Sequence, residues 1–369
     1  MTPEEFAQET TLIGELVADQ ADAWDEAESL PAELLRKLGQ RGLLCAQVPV
    51  AFGGLGISSE LNGELTAVSG SWCSSLRSVM TSSGMAAWAI QRLGNRQQRE
   101  DYLPQLANGQ IGAVGFSERL AGSDLAAMQT QIRPDGEFVI VDGLKCWMTA
   151  AAYADLLIII GRYDDGAAAV AVPANAPGVA LERIPRPLGC RAAGHANVIL
   201  RSVRLPAASV LGYCGGQSLP MLVTAILAYG RISVAWGCVG ILRTCLNAVT
   251  QHARSRTQFG KPLAEHQLVA RHIAQVYAAE QVATRACEHA SRCWDSRSPE
   301  MAAAAVLAKY VSSANAAQGS ASAMQVLASA ASRDTSAVAR AFRDAKLMEI
   351  IEGTHEICEL MLARHALTP

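Results

Sequence analysis

The ten cysteines, at 45, 73, 146, 190, 214, 238, 245, 287, 293 and 358, contain no C-x-x-C pair and no Cys/His spacing suited to zinc. That excludes a metal-stapled fold and a dithiol redox motif, and leaves the thiols as small buried hydrophobes of a reduced, cytoplasmic protein. Charged residues are only 18% and the net charge is −3, so a basic surface for nucleic acid or anionic lipid is missing. The acidic start Met1-Thr2-Pro3-Glu4-Glu5 lacks the basic and apolar regions of a secretory leader. A long uninterrupted apolar run is absent too: residues 220–230 are apolar, but Arg231 ends the run before a bilayer would be spanned. Neither an internal repeat nor a low-complexity tail is visible.

What is present is core material. Half of the 369 residues are apolar, enough for two or three structural units. Up to about residue 109 the apolar period is helical, with Leu34, Leu35 and Leu38 and then Met85, Trp88, Ala89 and Leu93 at three- and four-residue spacing. From 113 to 212 the period becomes two, in short runs at 137–141, 156–160, 167–172, 178–184 and 198–203, and Asp142-Gly143 has the chemistry of a hairpin turn before Lys145. Long Ala-rich helices return at 220–254, 264–292, 299–331 and 335–366. The chain is therefore expected to be mainly α with a β domain: helical domain 1–112, middle β domain 113–215, and C-terminal four-helix bundle 216–369, joined by Gly-rich segments at 109–115 and 212–216.

Four clusters have chemical content. Residues 115–124 set Phe116 and Ser117 after Gly115 and Ser123 after Gly122, a loop whose N–H groups and hydroxyls suit an anionic or carbonyl-rich ligand, or an ordinary surface turn. Strand alternation puts Trp147 and Thr149 on one face, an indole beside a hydroxyl, which suits a flat heteroaromatic ring; taken alone, core packing explains the pair as well. Arg256 and Phe259, with Gln267 following, occupy a Gly/Pro corner between two helices that can grip a phosphate and cover an adenine, or simply expose charge at a helix end. Glu352 stands at a break, because Gly353 stops one helix and Thr354 can cap the next. A carboxylate there opposes the helix dipole, and among Leu347, Met348, Ile350 and Ile351 its pKa can rise toward neutrality. His195 reads as structural or solvent-facing. Arg231 needs a partner, either an intersubunit carboxylate or an anionic substrate group.

In this order the clusters resemble the acyl-CoA dehydrogenase family, and the likeness extends to Leu30-Pro31 with Leu34, Gly42-Leu43, Val48-Pro49, Phe52-Gly53-Gly54-Leu55-Gly56, Leu103-Pro104 and Gly109. The resemblance implies the family fold and FAD as cofactor. It places Phe116 and Ser117 at the pyrimidine edge, Ser123 by the pyrophosphate, and Trp147 and Thr149 along the isoalloxazine. Arg256, Phe259, Gln267 and the segment starting at Gln325 would hold the FAD of a neighbouring subunit in a homodimer or homotetramer. Thr354 would meet the flavin from the C-terminal side, and Tyr229 and Arg231 would face substrate. Glu352 matches the catalytic base, taking a proton beside a thioester while the flavin takes a hydride.

Two departures accompany the likeness. Ala328-Ser329 stands where relatives carry Gly-Gly, and Ser117-Glu118-Arg119 where they carry Thr-Glu-Pro. Residues 76–82, 189–195 and 345–353 resemble the narrower group that makes methoxymalonyl- or aminomalonyl-type extender units for polyketide assembly. That implies a hydroxy- or amino-substituted three-carbon thioester on acyl carrier protein, with an NAD-linked partner enzyme. The alternatives are a short-chain acyl-CoA dehydrogenase serving an electron-transferring flavoprotein, a flavin monooxygenase on the same fold, and a non-catalytic FAD-binding relative.

Overall fold

Six helices open the computed structural model: α1 (Pro3–Val17), α2 (Ala21–Glu26), α3 (Ala32–Gln40), α4 (Ser59–Trp72), α5 (Ser74–Leu93) and α6 (Arg96–Ala107). Residues 1–212, 216–334 and 336–368 are described; Cys214, Thr335 and the 215/216 division expected from the sequence lie outside them. Local chemistry sets several of the helix starts. Asn95 and Gln98 form a reciprocal capping box on α6, and the Ser58 hydroxyl accepts from Leu61 N–H at the start of α4. Helix α5 is buried along almost its whole length and is the hub of this half of the molecule.

The sheet follows as β1 (Gly112–Gly115), β2 (Gln131–Asp135), β3 (Phe138–Met148), β4 (Leu156–Tyr163), β5 (Gly166–Pro173), β6 (Val179–Arg183) and β7 (Ala196–Pro206). Its order is β1-β4-β2-β3-β7-β6, with β5 on β4. Strand β4 is buried on both faces and reads as a continuous Leu/Ile run for that reason. One expectation fails here: Asp142-Gly143 is not a hairpin turn. Strand β3 runs straight through it, with a register shift against β7 between Val141 and Gly143. Gly143 is required for space, since a Cβ there would lie 2.3 Å from Thr130 Oγ1. The turn sits at Gly136, in the left-handed region between β2 and β3.

The rest is helical: α7 (Leu219–Ser255), a small hairpin of β8 (Thr257–Gln258) and β9 (Lys261–Pro262), then α8 (Gln267–Asp295), α9 (Met301–Leu327), α10 (Ala337–Met348) and α11 (His355–Ala366). The last expected helix is thus two, broken over residues 349–354. Helix α7 has 37 residues and mean hydropathy 1.6 in its most apolar stretch, long and apolar enough to cross a membrane despite Arg231. That stretch is 89% buried inside the fold, as the central helix of the bundle. Small residues let α4 and α5 approach it closely. A Cβ on Gly63 would meet the Trp236 ring, and one on Gly240 would meet the Ala67 carbonyl.

Candidate active site

The break after α10 carries Glu352. Ile350 and Ile351 N–H both donate to the Leu347 carbonyl, so the helix tightens and ends, and Glu352 takes φ +57° before Gly353 at +98°. A left-handed Glu costs roughly 1–3 kcal/mol and needs its surroundings to hold it there. Two buried cations do so: Arg231 Nε donates to the Glu352 carbonyl at 3.0 Å, and Lys309 Nζ donates to the carbonyls of Glu349 at 3.1 Å and Gly353 at 2.6 Å. The loop that bears the carboxylate is thus fixed from α7 and α9.

Glu352 as a residue is partly exposed, but its Oε2 is buried and has no hydrogen-bond partner among the described residues. The carboxylate lies over Gly230, where a Cβ would be 2.5 Å from Oε2. Burial pushes its pKa up to about 7, against the opposing pull of Arg231, Lys309 and Arg77. The apolar neighbours expected from the sequence are only part of the cause. Met348 is buried, whereas Ile350 is half exposed.

Trp147 and Thr149 meet at a residue that sequence logic had set aside. Simple alternation does not relate the two, because Trp147 has φ +56° and β3 shifts register between Lys145 and Met148. His195 joins them instead: its ring centroid is 5.9 Å from that of Trp147, and its Nδ1 is 3.3 Å from Thr149 Oγ1. His195 is buried and its Nε2 is unpartnered, and burial followed by the Arg77 charge lowers its pKa to about 4, so the ring is neutral. Ser82 Oγ donates to the Thr149 carbonyl and ties this corner to α5.

The loop at 116–121 is clamped onto the same strand. Lys145, fully buried, donates to Glu118 Oε1 at 2.6 Å and to the Phe116 carbonyl at 3.1 Å, and Cys146 N–H donates to the Ser117 carbonyl. Glu118 also accepts from Thr130 Oγ1 and from the N–H groups of Gln129 and Thr130. Burial lowers the Lys145 pKa to about 8, with Glu118 opposing. Phe116 and Ser117 therefore lie beside Trp147 by construction, while Ser123 is exposed further along the loop.

The remaining candidates sit elsewhere. Arg256 and Gln325 are exposed along a groove that reaches Ala328-Ser329, Gln267 is exposed at the start of α8, and Phe259 is 95% exposed at φ +50° on the β8–β9 turn. Ala328 has φ +52° and ψ −127°, a backbone that favours glycine, so the conformation persists where the expected glycine is missing. No hydrogen bond among the described residues links this group to Trp147, Thr149 or Glu352. Thr354 occupies the N-cap of α11 without a side-chain cap bond. Tyr229 is buried with its hydroxyl accepting from Asn62, at a constricted recess also lined by Gln47, Ser233, Trp236 and Trp294. Arg77, Lys309, Lys145 and His195 were not foreseen. The signal for the first two was available: each is a lone cation in the middle of a helix of small and apolar residues.

A flat, hydrogen-bonding cofactor fits the surface at Trp147, because an exposed indole, the Thr149 hydroxyl and an unpartnered buried nitrogen on His195 lie together there. Three family models match the chain: acyl-CoA dehydrogenase N-terminal domain over 5–110, middle domain over 113–203 and C-terminal domain over 220–367. The probable acyl-CoA dehydrogenase YngJ of Bacillus subtilis (strain 168) is 31% identical over 98% of this chain and 99% of its own. A solved structure of FkbI, described as serving biosynthesis of the methoxymalonyl extender unit of the polyketide immunosuppressant Fk520, is 57% identical over 98% of this chain and 99% of its own, with TM-score 0.93. A glutaryl-CoA dehydrogenase from Mycobacterium smegmatis, in complex with FADH2, is 26% identical over 100% of this chain and 95% of its own, with TM-score 0.91.

Proposed function

The chain belongs to the acyl-CoA dehydrogenase family, and from that premise we propose that it oxidises a three-carbon, hydroxy- or amino-substituted acyl group carried as a thioester on acyl carrier protein. It is an FAD-dependent oxidoreductase acting on acyl thioesters. The finer substrate is the proposal, and the 57% identity with FkbI supports it.

FAD supplies the hydride acceptor. Phe116, Ser117 and Ser123 would hold it from the loop, Trp147, Thr149 and Thr354 from the sides of the ring, and Arg256, Phe259, Gln267 and Gln325 from a second copy of the chain. Glu352 does the proton work. The observation that carries this role is an unpartnered, buried carboxylate oxygen with a pKa near 7, on a loop immobilised by Arg231 and Lys309. Its Oε2 takes the proton from the acyl α-carbon, or from the hydroxyl of an aldehyde hydrate at the third carbon. Arg231 acts on the base through its carbonyl rather than on substrate. The reaction partners in this reading are acyl carrier protein, an NAD-linked enzyme and a homo-oligomeric neighbour, all in the cytoplasm.

The test is anaerobic. Glyceryl- and seryl-loaded carrier protein, and butyryl-CoA, are each mixed with the flavoprotein while the visible flavin absorbance is followed. Bleaching by a three-carbon carrier-bound unit and not by butyryl-CoA is expected, and Glu352→Gln should abolish it. Rapid bleaching by butyryl-CoA alone would replace the proposal with a short-chain acyl-CoA dehydrogenase.

A further inference from the structure

The Oε2 atom of Glu352 makes no hydrogen bond among the described residues, so the buried carboxylate owes its place to its backbone. That backbone is the loop between α10 and α11. Lys309 holds it from α9, through the carbonyls of Glu349 and Gly353. One turn further along α9 a second contact reaches the same segment. The Oγ of Ser313, a fully buried residue, lies 2.8 Å from Nε2 of His355, the first residue of α11.

Counting protons fixes the direction of that bond. A serine hydroxyl has one, and Ser313 Oγ donates it to the Lys309 carbonyl at 2.7 Å, with the Tyr310 carbonyl at 3.3 Å as a longer branch. His355 Nε2 therefore carries the N–H and donates to Ser313, which leaves Nδ1 bare in the neutral ring. Near pH 7 the ring is neutral, because burial and then the Lys309 charge lower its pKa against the pull of Glu349, Glu356 and Glu359. Nδ1 faces Glu349 Oε1 at 3.8 Å, so the residue that closes the loop stands against the one that opens it. The Tyr310 ring meets the imidazole edge-on at 5.1 Å between centroids, and its hydroxyl donates to Glu359 on α11. One stretch of α9, carrying Lys309, Tyr310 and Ser313, thus meets the chain on both sides of Glu352.

Resting on the reading of Glu352 as the base, we infer that His355 is a positioning residue: by donating to Ser313 it closes the loop and keeps the Glu352 carboxylate buried over Gly230. The clamp from Lys309 ends at Gly353, whose φ of +98° marks the most pliable point of the segment. His355 is the first residue beyond it with a hydrogen bond to α9 among the described residues. The charges that face Glu352 are Arg231 on α7, Lys309 on α9 and Arg77 on α5, and none of them sits on the C-terminal side of the loop. His355 acts through the backbone and not on the reacting atoms. Without its bond the chain can shift at Gly353 and water reaches the carboxylate.

Melting curves of FAD-loaded protein test this without any thioester. Proteins with and without Glu352→Gln are compared between about pH 4 and pH 9, in the wild-type, His355→Leu and His355→Gln backgrounds. Each pair shares its residue at 355, so the protonation of His355 cancels and the gap between the two curves reads Glu352 alone. In the wild-type background the gap should open above pH 4.5 and be complete above about 7. In His355→Leu it should shrink by roughly half or more, as the carboxylate gains water. His355→Gln should keep the gap, since its amide carries an N–H at the reach of Nε2. If His355→Leu does not retain FAD, Ser313→Ala, which adds no bulk, decides in its place. A gap that stays full in the deciding variant, or that shrinks as much in His355→Gln, would overturn the inference and leave Glu352 as the base. Absence of a gap in the wild-type background would remove the buried base itself, and the role of His355 with it.

Discussion

The carboxylate of Glu352 rests on the bare backbone of Gly230, with no room for a methyl group between them. Gly230 lies inside α7, where alanine would otherwise favour the helix by about 1 kcal/mol. Gly230→Ala is therefore expected to keep the fold and to displace the base, because the added Cβ would lie 2.5 Å from Oε2 and 2.7 Å from Met85 Sδ. A misplacement on the order of 1 Å at a proton-transfer group costs about 100-fold in rate. Turnover should fall by that order while FAD content and melting temperature hold, which separates a displaced base from an unfolded protein. Full activity in Gly230→Ala would mean that the carboxylate works from another position.

The same carboxylate fixes a pH dependence. Glu352 must be ionised to take a proton, and its pKa is raised to about 7, so the rate should climb roughly ten-fold per pH unit below 7 and level off above it. Stability moves the other way. Burial penalises the charged form, so the cost of ionising Glu352 is absent below its ordinary pKa of 4.5 and fully present above 7, where a shift of this size corresponds to about 3 kcal/mol. Glu352→Gln should raise the melting temperature at pH 8 and leave it unchanged below pH 4.5. Parallel melting curves of the two proteins across this range would show that the carboxylate is solvated.

How much of this was legible follows from what each residue type announces. The switch of apolar period from 3.6 to 2 and back marks helices, sheet and helices, because burial on one face imposes it. Asp142-Gly143 misled, since the pair that favours a hairpin turn also suits a bulge, and here Gly143 makes room for Thr130. Glu352 could be found from the helix stop at Gly353. The cations around it could not be assigned to it, because Arg77, Arg231 and Lys309 come from three different helices and only packing brings them together. His195 failed for the same reason: a lone loop histidine has no pattern, and its meaning lies in Thr149, which is 46 residues away in the chain.

Lys145 and Glu118 form a buried pair that welds the loop bearing Phe116 and Ser117 to the strand bearing Trp147. Removing the cation strands a carboxylate that is only 7% exposed, a change that typically costs about 3–5 kcal/mol. Lys145→Met should therefore lower thermal stability by that amount and release FAD, read as a loss of bound flavin on gel filtration. Replacing both partners, with Lys145→Met and Glu118→Gln together, should recover part of the stability, because no unpaired charge remains. Equal losses in the single and double variants would show that the hydrogen bonds to Gln129 and Thr130, rather than the ion pair, hold the loop.

Phe259 presents the opposite situation, an aromatic ring 95% exposed on a left-handed turn, where it contributes almost nothing to the chain that carries it. Among the described residues its one ring neighbour is His266, with centroids 6.1 Å apart. A side chain so placed is explained if a second copy of the chain and the adenine half of its FAD cover it, with Arg256 reaching the phosphates. Phe259→Ala and Arg256→Ala should then leave the melting temperature of the flavin-free chain within about 0.5 kcal/mol of wild type in stability. The same variants should bind FAD more weakly, and more so on dilution, because loss of the neighbour removes half of the site. Sedimentation with absorbance read at both protein and flavin wavelengths would follow assembly and cofactor together. Flavin retention that is unaffected by either substitution and by dilution would place the whole FAD site within one chain and leave the exposed ring without a function.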